Sequence, residues 1–239
     1  MYRIITFSIV IWIISLESCI KTNPPNGSTA LNIVNAINNS NAIVTNFTPL
    51  NAKGIPVEPL QYYSSANAIS QGNDYESGSY IGLTNLSIAQ ITDTGVTLWN
   101  GEFDLQRGSI HSLFFCGDTS SIDTLLTTDA IPYYPYSDSM AGVRFVNLAQ
   151  GSLPMSVNLQ GNPPTQTEFT NVGYKLMSTF KTYSANSSAP GSYNFEIRDQ
   201  ASDSLLAVFS WSYTLEKNNT IYIMGSQGAG FNAAQMNNF

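Results

Sequence analysis

The chain has 239 residues, of which 43% are hydrophobic and only 10% charged, and its formal net charge is −7. Globular proteins average about a quarter charged residues, so Asn, Ser and Thr carry the polarity here, as suits an exported β-rich protein. The acidic balance and the lack of any Lys/Arg cluster exclude a nucleic-acid footprint and electrostatic docking on anionic lipid.

Met1-Tyr2-Arg3 supplies one cation, and Ile4 to Leu16 is apolar apart from Thr6, Ser8 and Ser15. At about 1.5 Å per residue this run falls short of a hydrocarbon core of about 30 Å. Charge, short apolar core and small residue make a cleavable signal peptide over residues 1–18. Leu16-Glu17-Ser18-Cys19 resembles the bacterial lipobox, in which the Cys receives the lipid. Cys19 is therefore the expected lipid anchor in the outer membrane, with a plain signal peptide or an anchor helix as the alternative. More than one acyl chain gives stable anchoring, at roughly 0.8 kcal/mol per buried methylene. Residues 19–29, with Pro24-Pro25 and Asn26-Gly27, read as a tether too polar to fold. The sequence leaves open which face of the membrane is occupied.

Beyond the tether the chain repeats itself. Ala30-Leu31-Asn32-Ile33-Val34-Asn35 recurs as Gly142-Val143-Arg144-Phe145-Val146-Asn147, and a Ser (Ser40, Ser152) follows five positions after each closing Asn. Asn85-Leu86-Ser87-Ile88 matches Asn194-Phe195-Glu196-Ile197, and Phe103-Asp104-Leu105 matches Tyr213-Thr214-Leu215. A period of about 110 residues is too long for a solenoid and indicates two tandem domains. Their expected bounds are 30–122 and 141–239, with a linker over 123–140. Short alternating runs separated by Asn, Asp and Gly turns predict an all-β fold of two sandwiches, immunoglobulin-like or transthyretin-like. Only Ala141 to Gln150 and Asn232 to Met236 leave room for a helical turn. Leu125-Leu126 reads as an extra strand in the linker, and Ile131 to Tyr136 resists pairing because proline lacks the ladder donor.

Catalytic chemistry finds little support. His111 is the only histidine. It falls within a strand, with Ile221 as its expected counterpart in the second repeat, and a triad would need it beside a nucleophile and a carboxylate. Cys116 sits in Leu113-Phe114-Phe115-Cys116 and reads as a small buried hydrophobe. Asp118 with Asp123, and Asp199 with Asp203, lack the spacing of a calcium loop and fit Asx turns. No cofactor or metal is expected. Tyr62-Tyr63 and Tyr133-Tyr134-Pro135-Tyr136 are loop aromatics, flat faces with polar tips suited to stacking on sugars or peptides. For the second cluster, packing between the domains is the main expectation, with ligand binding the alternative.

The paired openings, Pro190 to Asp199, and the close Leu215-Glu216-Lys217-Asn218-Asn219-Thr220-Ile221-Tyr222-Ile223-Met224-Gly225 resemble the family known as domain of unknown function 4397. In the first repeat Asn32 stands where the second has Arg144, and Gln61 to Ser79 looks like an insertion. The resemblance implies exported β-sandwich lipoproteins, often in tandem, and carries over no catalytic motif. The resulting expectation is a non-enzymatic outer-membrane lipoprotein. Its role would be adhesion, scaffolding or binding, with an envelope protein or a glycan as partner. The alternative is glycan capture for a polysaccharide uptake system.

Overall fold

The structure is a computed structural model that describes residues 28–50, 54–55, 64–79, 81–163 and 165–238. The signal peptide, Cys19, the tether up to residue 27, and Tyr62 and Tyr63 lie outside the described residues. The fold is all-β. The first sandwich holds β1 (Thr29–Asn35), β2 (Ile43–Pro49), β3 (Asn73–Ser79), β4 (Gly82–Gln90), β5 (Asp93–Leu105), β6 (Ile110–Asp118) and β7 (Ser121–Thr128). The second holds β8 (Met140–Asn147), β9 (Met155–Leu159), β10 (Thr167–Val172), β11 (Lys181–Ser184), β12 (Tyr193–Asp199), β13 (Leu205–Trp211), β14 (Asn218–Ser226) and β15 (Gly230–Asn238).

Strand order repeats as the sequence does. One sheet of the first sandwich runs β3-β1-β6-β7 and its counterpart runs β11-β8-β14-β15; the facing sheets are β2-β4-β5 and β10-β9-β12-β13. In both copies the opening strand pairs in parallel with a late strand, β1 with β6 and β8 with β14. Alternate residues point into each sandwich. Leu31, Ile33, Leu113 and Phe115 meet Leu86 and Ile88 in the first core. Val143, Phe145, Ile221 and Ile223 meet Phe195, Ile197 and Trp211 in the second.

The other face of each four-stranded sheet is buried too, because the two sandwiches stack back to back. Val34, Phe114, Cys116 and Leu125 of the first meet Val146, Tyr222, Met224 and Ala234 of the second in a third apolar cluster. Burial on both faces explains why Leu113-Phe114-Phe115-Cys116 and Ile221-Tyr222-Ile223-Met224 are unbroken apolar runs rather than alternating ones. The two copies point the same way along their strands, so a pseudo-twofold axis parallel to the strands relates them. The cross-contacts fit that symmetry. The Tyr222 hydroxyl on β14 donates to the Gly72 carbonyl beside β3 at 2.7 Å. Asp123 on β7 pairs with Lys175, ahead of β11, at 2.8 Å and accepts from the Tyr174 hydroxyl at 3.1 Å. Burial pulls the Asp123 carboxyl up, but Lys175, the Thr124 amide and Tyr174 together hold it below its ordinary value.

Below the apolar cluster on this shared face lies a polar row. Arg144 Nη2 stands 2.8 Å from Asp129 Oδ1, with both side chains nearly inaccessible. The contact is an ion pair off the donor axis rather than a well-aimed hydrogen bond. Ser112 Oγ (2.6 Å) and Thr127 Oγ1 (2.8 Å) donate to the Asp129 carboxylate. Arg144 Nε donates to Thr220 Oγ1 at 2.8 Å, and the guanidinium lies 4.5 Å from the centre of the Phe180 ring. Burial pulls the Arg144 guanidinium down from its ordinary value, and Asp129 opposes that shift.

The repeated Asn and Ser have a common purpose. Asn147 is fully buried; its Oδ1 accepts from the Ala149 amide at 3.0 Å, and its Nδ2 donates to the Val172 carbonyl at 3.0 Å and to Ser152 Oγ at 2.9 Å. Asn35 uses the same kinds of partner: its Oδ1 accepts from the Ile37 amide and from Ser40 Oγ, and its Nδ2 donates to the Ile69 carbonyl. Each Asn ties the loop leaving the opening strand to a segment from elsewhere in its sandwich. Asn147→Ala should cost about 2–6 kcal/mol in urea unfolding, because two buried backbone groups lose their partners at about 1–3 kcal/mol each. A loss below about 1 kcal/mol would show the loop to be held by other contacts.

Several expectations need correcting. Residues 121–128 pair with β6 along their whole length, so the first domain runs to Thr128 and the connection begins at Asp129 rather than 123. The stretch Gln61 to Ser79 is not all insertion: Asn73–Ser79 is β3, the counterpart of β11. Ala141 to Gln150 and Asn232 to Met236 hold strands, not helical turns. The register aligns His111 with Asn219 rather than Ile221, and Phe103 with Trp211 rather than Tyr213. Both errors are two-residue slips, which leave every side chain on its original face and hence the hydrophobic pattern unchanged.

Candidate functional site

Because the sandwiches are aligned, all strand ends fall at two ends of the molecule. At the near end are Thr29, where β1 begins, and the connection from Asp129 to Ser139. At the far end are the loops that follow β1 and β8 and the hairpins β4–β5, β6–β7 and β14–β15.

The linker tyrosines sit at the near end. Tyr133 and Tyr136 are 85% and 74% exposed, so they do not pack the two domains together; the apolar cluster between the inner sheets does that. Tyr134 differs: its ring lies over Gly142, where a Cβ would stand 2.7 Å from the hydroxyl oxygen. Burial pushes the Tyr134 phenol above its ordinary value. The Pro132 carbonyl accepts from Asn218 Nδ2 at 2.8 Å, and Pro135 holds extended backbone at φ −61° and ψ 146°. The two exposed rings are thus carried on a fixed segment.

His111 is buried, with Nε2 3.0 Å from Ser109 Oγ and Nδ1 3.1 Å from the Thr127 carbonyl. Its partners are hydroxyls and a carbonyl, so the ring has no carboxylate to orient it as a base. Cys116 is buried, and burial, opposed by the contact with Tyr174, pushes its thiol up to about 11, the opposite of activation. Asp118 and Asp199 close Asx turns onto Ser120 and Ser202. Asp123 is spent on the domain interface. Among the described residues no three His, Cys, Asp or Glu side chains converge on a metal position.

The far end carries what the sequence did not single out. Of nine large apolar side chains exposed among the described residues, Ile91, Val96, Leu153, Leu176 and Leu205 all lie on or beside far-end loops. Leu153 and Pro154 line a cavity of about 190 Å³ with Asn171, Gln200 and Ala201. Asn171 and Gln200 fix one another there through a side-chain amide bond of 2.8 Å and a bond from the Asn171 backbone amide. Between the sandwiches is a second cavity of about 250 Å³, lined by Asn38, Asn39, Gln71, Met224, Gly225, Ser226, Ala229, Gly230 and Asn232. The only sign of this end in the sequence is its Asn- and Gly-rich turns, which occur in many loops without function.

The chain matches no protein-family model and no curated protein sequence. Among solved structures it is similar to a family CBM26 carbohydrate-binding module from Eubacterium rectale Amy13K in complex with maltoheptaose, at 8% identity. That match covers 89% of this chain and 97% of the other, with a TM-score of 0.24. It is also similar to a candidate adhesin from Bacteroides ovatus (11% identity, 91% and 94% covered, TM-score 0.23). A candidate cell adhesion protein from Bacteroides uniformis is a third (9% identity, 89% and 99% covered, TM-score 0.22). At these identities and TM-scores, none of the three bears on what this chain binds.

Proposed function

We propose that the chain is a non-enzymatic lipoprotein of the outer membrane, anchored through Cys19, that presents its far end for adhesion or scaffolding at the cell envelope. The carrying observation is that the exposed side chains of Ile91, Val96, Leu153, Leu176 and Leu205 all lie at the end away from Thr29. Exposed aliphatic side chains on loop tips give a partner apolar area to bury. In this reading Tyr133 and Tyr136 face the anchoring surface and are not part of the partner site. Membership of the domain of unknown function 4397 family belongs to the same proposal and rests on the residues quoted for it. The alternative role, glycan capture for an uptake system, is favoured by the amide-lined cavity between the sandwiches.

Two variants test the reading. Cys19→Ala should block lipid labelling and leave unprocessed precursor; mature protein that still partitions into membrane would overturn the anchor. Leu153→Ser/Leu176→Ser/Leu205→Ser should abolish adhesion of cells displaying the protein while leaving its thermal midpoint within a few degrees. Adhesion that survives these changes but is lost in Tyr133→Ser/Tyr136→Ser would move the partner site to the near end.

A further inference from the structure

We infer that the far-end cavity between the sandwiches is a binding site for one ring of a neutral saccharide. The inference rests on the reading of the chain as a binding protein and is independent of the lipid anchor. Neither sandwich makes the cavity alone: Asn38, Asn39 and Gln71 come from the first, and Met224 to Asn232 from the second. Its volume, about 250 Å³, suits one hexose ring rather than an extended chain.

The lining chemistry selects the ligand class. No ionisable side chain lines the cavity, so nothing there compensates an anion or a cation. The side chains of Asn39, Gln71 and Ser226 have no hydrogen-bond partner among the described residues. Asn38 spends its Nδ2 on the Gly225 carbonyl at 3.1 Å, which leaves its Oδ1 free to accept. Asn232 uses its Oδ1 on the Ala233 amide at 2.9 Å, which leaves its Nδ2 free to donate. Carboxamides offer a donor and an acceptor side by side, the pattern that adjacent ring hydroxyls need. Met224, almost fully buried, supplies an apolar patch for the C–H face of a ring.

The cavity breaks the pseudo-twofold symmetry. Gly117 and Gly225 occupy equivalent places before their hairpins, both at positive φ. The β6–β7 turn needs only Thr119 and Ser120, whereas β14–β15 inserts Gln227-Gly228-Ala229 and continues at Gly230, with φ of 102° and 92° at the two glycines. The longer hairpin forms one wall of the cavity. On the symmetry-related side the hairpin is short, and Gln150 reaches to 3.4 Å of the position a Cβ on Gly117 would take. The walls are also fixed in advance, by the bonds from Asn38 to Gly225 and from Tyr222 to Gly72. A site held ready in this way loses less on binding.

The test is a printed array of neutral and acidic oligosaccharides probed with the purified full chain, followed by calorimetric titration of the strongest neutral binder. Asn39→Gly/Gln71→Ala should weaken that binding at least tenfold and leave the thermal midpoint unchanged, since both side chains are exposed and glycine accepts the φ of 58° at position 39. Leu153→Ser/Leu176→Ser/Leu205→Ser should leave it intact. No neutral binder on the array, preferential binding of acidic glycans, or an affinity unchanged in the Asn39/Gln71 variant would each overturn the site. Loss of saccharide binding in the leucine variant alone would place it on the loop tips. The adhesion assay reads the partner function separately, so failure of one leaves the other standing.

Discussion

Asp129→Ala should lower the stability of the whole molecule by about 3–5 kcal/mol in urea unfolding, the range for removing one member of a buried ion pair. The cost arises from what remains. Arg144, buried to the same extent, would keep only the Thr220 hydroxyl and the Phe180 ring as company for its charge. Ser112 and Thr127 would also lose their acceptor. The pair sits where the connection meets both sandwiches, so the loss should appear in both. Asp129→Leu combined with Arg144→Met should recover most of it, because an apolar pair removes both charges together. If the double variant is as unstable as the single one, packing rather than charge governs the site.

Phe114→Ala should cost a similar amount, about 3–5 kcal/mol, and should also change the shape of the transition. Phe114 points away from its own sandwich core and lies 6.5 Å from Tyr222 across the interface, ring centre to ring centre. The intact chain should melt in one calorimetric transition, because each sandwich is covered by the other. With the Phe114 ring gone, the coupling should weaken and two transitions should separate. Phe115→Ala, one residue along and facing inward, should instead destabilise the first sandwich without dividing the melt. Two transitions in the unaltered chain would show that the interface does not couple folding.

Much of the architecture could be read from residue patterns. The paired openings mark β1 and β8, and the Asn with a Ser five places on proved to be a buried staple in each copy. What escaped was the third dimension. A sheet buried on both faces reads as an unbroken apolar run, which looks the same whether the second cover is a loop or another domain. The substitution of Asn32 for Arg144 read as divergence. The structure gives the two positions different surroundings: Arg144 pairs with Asp129 and donates to Thr220. Asn32 instead donates to the Asn237 carbonyl at 3.3 Å. The tyrosines drew notice because aromatic loops are conspicuous, whereas the far-end cavity is built from amides common throughout this chain. Only their convergence from two distant segments distinguishes them, and sequence spacing does not show that.

The placement of β1 has a mechanical consequence. In the proposed anchored protein, the first residue of β1 is the point through which tension along the tether would enter the folded body. β1 lies between β3 and β6, hydrogen-bonded to β3 from Thr29 to Asn35 and to β6 from Ala30 to Asn35. A load taken at the far end and resisted at Thr29 pulls along this strand, roughly perpendicular to its antiparallel ladder. Both ladders must then yield together in shear, instead of opening one bond at a time as a peeled strand does. Resistance to such a pull is set by the unfolding rate rather than by equilibrium stability. With the anchor proposed above, a protein built this way would hold hardest in the direction that anchor pulls.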